Sequence, residues 1–144
     1  MAIFTFGREH ERKCEARYVR DKRQIPMLLA VVDAVHDLIE GHGTVEALEG
    51  HLRVAFVSGG SGVWNNAEKW LRKCSSEYPS LLGLWPEFAA SPDSKVRFKV
   101  ACVLDRVPSS IFNQLAPILS SDKSKKVAAM AVARIEEASS SGSA

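Results

Sequence analysis

The chain is predicted to be all-α, an irregular antiparallel array of helical hairpins with about eight helices. Three observations lead there. Between Pro92 and Glu137 three helix starts recur at regular intervals, Pro92-Asp93-Ser94, Pro108-Ser109-Ser110 and Ser120-Ser121-Asp122, each followed by apolar residues at helical spacing. Met27 to Glu40 is apolar except for Asp33, His36, Asp37 and Glu40, whose i, i+3, i+4, i+7 spacing gathers them into one narrow stripe. Outside residues 2–6 the sequence shows no strand-like alternation of useful length.

The 144 residues, 46% hydrophobic and 25% charged, fit one soluble globular domain over residues 1–138. Residues 1–7 read as an extended N-terminal arm ended by Gly7, residues 8–57 as N-terminal helices, and residues 62–137 as helical hairpins. Arg8 to Lys22 has the composition of an exposed helix, with Glu9 set four residues before Lys13 and with Cys14 and Tyr18 sharing a face. Pro26 separates it from the strong helix Met27–Glu40, which belongs at the centre of a bundle and is ended by Gly41 and Gly43. Thr44 caps the next helix, which buries Leu48, Leu52, Ala55 and Phe56. Ser58 to Gly62 reads as a flexible joint, and Val63 to Ser75 follows with Val63, Ala67, Trp70, Leu71 and Cys74 at core spacing. Pro86 must kink or split the segment Leu81–Ala89. Ser139 to Ala144 is expected to be a disordered tail by composition.

Cys14, Cys74 and Cys102 are an odd number without a close pair, so free buried thiols in a reducing compartment are expected. No secretory leader pattern is visible, and the longest apolar window is too short and too charged to span a membrane; a cytoplasmic location is expected. A net charge of +2 points to no particular partner, but its distribution is uneven. Arg8 to Arg23 holds seven basic and four acidic residues, whereas Gln24 to Gly50 holds five acids, Asp33, Asp37, Glu40, Glu46 and Glu49, with no Lys or Arg.

Val96, Val100, Ala101 and Leu104 fall 31 residues before Val127, Ala131, Val132 and Ile135, and Ile111, Phe112, Leu115, Ile118 and Leu119 form a partner helix between them. With its Asp-containing turn, the Val96-Arg97 pair and a Pro-containing bend, residues 91–137 resemble a HEAT-type helical repeat. A plain array of helical hairpins accounts for the same pattern. The resemblance implies a binding scaffold without shared chemistry, a build also found in small bacterial toxin-neutralising immunity proteins.

The Asp33, His36, Asp37, Glu40 stripe is the sharpest constellation for chemistry, since carboxylates and an imidazole on one helical face can bind a metal or serve a metal-dependent enzyme. His42 or His51 would have to supply a further ligand, and no His follows residue 51. Ser58–Gly62 lacks the Lys-Ser/Thr ending of a P-loop, and no serine sits in a Gly-x-Ser-x-Gly elbow. No catalytic set, metal or cofactor is therefore nominated, and the stripe reads first as the solvent face of a buried helix. A functional reading of it remains: Asp33, Asp37, Glu40, Glu46 and Glu49 form an acidic face for a basic protein partner, such as a nuclease toxin blocked by mimicry of its phosphate substrate, with Trp64 and Trp85 as anchors if exposed. The alternative is nucleic-acid binding through Arg8–Arg23 together with Lys95, Arg97, Lys99, Lys123, Lys125 and Lys126.

Overall fold

Helical periodicity without strand signals is realised, among the described residues, as eight α-helices: α1 Arg8–Ala16, α2 Ile25–Ile39, α3 Val45–Ser58, α4 Ser61–Ser75, α5 Leu84–Ala89, α6 Ser94–Cys102, α7 Ser109–Ser120 and α8 Lys125–Gly142. The computed structural model describes residues 3–142, and no strand occurs among them. Met1 and Ala2 of the expected arm, and Ser143 and Ala144 of the expected tail, lie outside the described residues. Contacts gather into two compact units, Met1–Leu81 and Leu82–Ala144.

In the first unit α2 packs against α1, α3 and α4, as its wide apolar surface requires. Leu28, Val31, Val32 and Val35 of α2 are buried, as are Leu48, Leu52, Ala55 and Phe56 of α3 and Val63, Ala67, Trp70, Leu71 and Cys74 of α4. Local sequence sets the boundaries. Gly41 adopts φ 85°, its N–H bonds the Leu38 carbonyl and the His42 N–H bonds that of Asp37, so α2 ends in a Schellman turn that a side chain at Gly41 would strain. Thr44 accepts a hydrogen bond from the Ala47 N–H at 3.1 Å and caps α3.

Two expectations for this unit are corrected. The first helix stops at Ala16 rather than Lys22, because the N–H groups of Arg17, Tyr18 and Val19 turn to carbonyls three residues back, which tightens the chain and buries Val19. Ser58–Gly62 is not a loose joint: α3 runs to Ser58, α4 begins at Ser61, and Gly59 is buried between them. A Cβ at Gly59 would overlap the Ala55 carbonyl and the Val63 side chain, and one at Gly62 would overlap the Tyr18 carbonyl oxygen. These glycines serve close packing. The thiols are also corrected: Cys74 alone is buried, and burial pushes it up to about 12, while Cys14 and Cys102 are partly exposed.

In the second unit α5 packs against α6 and α7, and α8 against α6 and α7. Pro86 splits the preceding segment into a 3₁₀ turn, Pro79–Gly83, and α5, placing itself in the first turn of α5 where a missing N–H is tolerated. Asp93 caps α6 by accepting from the Lys95 N–H at 2.9 Å. The repeat-spaced residues Val96, Val100, Ala101, Leu104, Val127 and Ala131 are buried, whereas Val132 and Ile118 face solvent. Arg97 donates from Nε (2.9 Å) and from its terminal nitrogen (3.1 Å) to the two oxygens of Asp122, tying α6 to the turn before α8. The tail is corrected in part: α8 continues through Gly142, since each residue added to a formed helix gains one hydrogen bond without a new nucleus.

Gly62→Ala is expected to destabilise the fold by about 1–3 kcal/mol through overpacking. Gly50→Ala, where a Cβ meets no atom within 4 Å inside α3, should stabilise it by about 0.5–1 kcal/mol. Urea denaturation of both variants checks the opposite signs. The Arg97 guanidinium holds the Asp122 carboxyl below its ordinary 3.8, against the opposing effect of burial. Because the folded value is the lower one, this stabilisation is complete above pH 3.8 and is lost as pH falls through the folded value. Asp122→Asn should therefore be less stable at neutral pH and lose less stability on acidification than the parent chain, as followed by denaturation across a pH series.

Candidate functional site

Arg8, Glu11, Arg12 and Glu15 of α1 repeat the i, i+3, i+4, i+7 spacing of the α2 stripe, and helix α1 lies along that stripe. The charges interlock. Arg8 contacts Asp33 at 3.5 Å, Asp37 at 2.7 Å and Glu40 at 3.0 Å, while Arg12 pairs with Asp33. Forward along α1 is backward along α2, so the two helices run antiparallel. The Arg8 guanidinium holds the Asp37 carboxyl below its usual range, with slight burial opposing.

His36 occupies the same stripe but is 3% exposed and turned to the buried Glu11, Nε2 to Oε1 2.7 Å. Burial pushes Glu11 up, but hydrogen bonds from Thr5, His36 and the Phe6 N–H outweigh it and leave the carboxyl below its ordinary value. The Thr5 hydroxyl donates to Glu11 at 2.5 Å and accepts from the Gly7 N–H at 3.0 Å. The expected extended arm is thus an irregular segment whose backbone is drawn inward by one carboxylate, leaving Phe4 and Phe6 67% and 71% exposed.

Glu15, also buried, completes the α1 ladder by reaching α4. Its Oε1 accepts from Trp70 Nε1 at 2.5 Å and from Lys69 Nζ at 2.7 Å. Beside these contacts α1 and α4 enclose a cleft of about 220 Å³ walled by Phe6, His10, Cys14, Tyr18, Trp70 and Lys73. Phe4 and Phe6 meet edge to face at 4.9 Å and 84°, His10 stands 5.6 Å from Phe6, and Lys73 lies 4.4 Å from the Trp70 ring centre.

The carboxylates of the expected acidic face are largely engaged within the fold. Asp33, Asp37 and Glu40 are held by Arg8 and Arg12, and Glu49 lies 3.7 Å from Arg53; Glu46 stays exposed in the first turn of α3. Helix α1 lies along the stripe and buries His36, while the Asp33, Asp37 and Glu40 side chains, paired with guanidiniums, stay 37%, 45% and 45% exposed. Among the described residues no three His, Cys, Asp or Glu side chains are grouped to hold a metal ion. Trp85 is fully buried with Leu84, Phe88 and Ala89 on one face of α5, its indole N–H without an acceptor among the described residues, so it is no surface anchor. Trp64 is half-buried, edge-on to Phe56 with ring centres 5.7 Å apart. In the second unit Lys126 stands 5.5 Å from the Phe98 ring centre, Lys95, Lys123 and Lys125 are exposed, and Arg97 is withdrawn onto Asp122. Lys99 is partly buried, which lowers its ammonium below the ordinary value.

Sequence reasoning missed Thr5, Glu11, Glu15 and the α1–α4 cleft. A signal existed for the first contact: Arg8, Glu11 and Arg12 match in charge the Asp33, His36, Asp37 and Glu40 stripe at the same helical spacing. No comparable pattern marks Lys73 or Trp70. No protein-family model, no curated protein and no solved structure matches the chain. Among the described residues no helix is long and apolar enough to cross a membrane.

Replacing Asp33, Asp37 and Glu40 together by Ser is expected to lower the urea midpoint at low salt by more than it does in 1 M salt, because partly exposed pairs are screened. Denaturation at the two ionic strengths checks that these carboxylates act within the fold; an unchanged midpoint at low salt would show that they do not.

Proposed function

We propose that the chain is a protein-recognition module, a helical scaffold whose first unit contacts another protein through the aromatic surface around α1. The exposed trio Phe4, Phe6 and Tyr18, 67%, 71% and 58% exposed, carries this reading. Scattered single apolar residues are ordinary on a monomer, but here Phe6 and Tyr18 line one cleft and Phe4 meets Phe6 edge to face. Large aromatics offer contact area at low entropic loss, which suits them to interfaces. The resemblance of residues 91–137 to HEAT-type repeats points to the same class. A toxin-neutralising, immunity-type protein is the narrowest form of the proposal, and it would act through the aromatic surface, since Arg8 and Arg12 already engage the carboxylates an acidic plug requires.

A second reading, nucleic-acid binding, is favoured by Lys126 over Phe98 with exposed Lys95, Lys123 and Lys125 nearby in sequence. One experiment separates the two. Affinity capture from native cell extract, with and without nuclease, should recover a protein that survives nuclease treatment and is lost with Phe4→Ser/Phe6→Ser, whose helical signal by circular dichroism is unchanged. Equal recovery by parent and variant would overturn the first reading, and retained nucleic acid would favour the second.

A further inference from the structure

We infer that the cleft between α1 and α4 receives an acidic segment of a partner protein, seating one aromatic or aliphatic side chain against Phe6, Cys14 and Tyr18 while a neighbouring carboxylate pairs with Lys73, which rests over the buried Trp70 ring. The inference rests on the protein-recognition reading and gives that surface its ligand chemistry. Size is the first argument. A cleft of about 220 Å³ lies below the roughly 300–1,000 Å³ of ordinary small-molecule pockets, so it suits one inserted side chain better than a cofactor.

Charge is the second. Both acids in the cleft wall are buried and satisfied from within the fold, Glu11 by Thr5, His36 and the Phe6 N–H, and Glu15 by Lys69 and Trp70. Lys73 differs from them: its ammonium rests over the Trp70 ring at 4.4 Å and has no carboxylate within ion-pair distance among the described residues. His10 borders the same space, its Nε2 3.4 Å from the Cys14 sulfur, and Lys13 and Arg17 project into solvent from α1 and its C-terminal cap. The cleft therefore presents aromatic and thiol surface, two acids satisfied from within the fold, Lys69 engaged by Glu15, and in Lys73 a partly exposed cation without a carboxylate partner among the described residues. That pattern complements a carboxylate beside an apolar side chain. It does not complement a polyanion, which needs a track of several unpaired cations to neutralise successive phosphates.

Random peptides displayed on phage, selected on the full chain, test the inference. Enriched sequences are expected to carry Asp or Glu next to a single aromatic or aliphatic residue. Synthetic versions should bind about tenfold more weakly to Lys73→Glu, a loss that shrinks in high salt. Lys73 is partly exposed, and the parent-like denaturation midpoint of Lys73→Glu is verified first; if it is less stable, Lys73→Gln takes its place with a smaller expected loss. Enrichment without acidic bias, binding unchanged by either variant, displacement by a short oligothymidylate, or no enrichment at all would overturn the inference. Capture of a protein that depends on Phe4 and Phe6 would survive each of those outcomes, so the recognition reading and its proposed ligand chemistry fail separately.

Discussion

The first unit depends on one contact, the charged ladder that lays α1 along the polar stripe of α2. An isolated nine-residue helix is too short to persist in water, because nucleation outweighs the few hydrogen bonds it gains. Here α1 holds its shape by pairing Arg8 and Arg12 with Asp33, Asp37 and Glu40 and by burying Glu11 against His36. The exposed pairs contribute little singly. The buried Glu11–His36 couple is different in kind, since removing either partner would leave a desolvated polar group unsatisfied.

The same ladder positions the surface proposed to bind. Glu11 draws in the backbone of Thr5, Phe6 and Gly7, which turns Phe4 and Phe6 outward. One turn further on, Glu15 fixes Trp70 and Lys69 of α4 and so shapes the opposite wall of the cleft. Two acids, Glu11 and Glu15, are buried and three more are paired at the surface, while Lys13 and Arg17 are exposed and Lys73 partly so. Folding thereby sets guanidiniums beside the carboxylates that residues 24–50 carry unaccompanied in sequence.

Much of the architecture was legible along the chain because helix signals are local. Thr44, Asp93 and Pro86 act at or near their own backbone positions, and the apolar spacing of α3, α4 and α6 marked residues that are in fact buried. The early end of α1 and the packed glycines were not legible, since Gly62 is required by the Tyr18 carbonyl, far away in sequence. Ser58–Gly62 looked flexible for the same reason: composition registers the freedom of glycine but not the neighbour that exploits its missing side chain. The extension of α8 through Gly142 escaped composition because propagation from a formed helix outweighs weak local propensity.

The candidate site divides along the same line. Sequence by itself determined an all-α chain, its principal core positions and the existence of a charged stripe on α2, because periodicity and capping act over a few residues. Only tertiary structure decided that the stripe faces Arg8 and Arg12, that Trp85 is interior, and that Phe6, Cys14, Tyr18, Trp70 and Lys73 share one cleft. Whether an ionisable side chain meets water, a partner or an opposite charge depends on which helix packs over it, and that arrangement is settled by the joint burial of every apolar face.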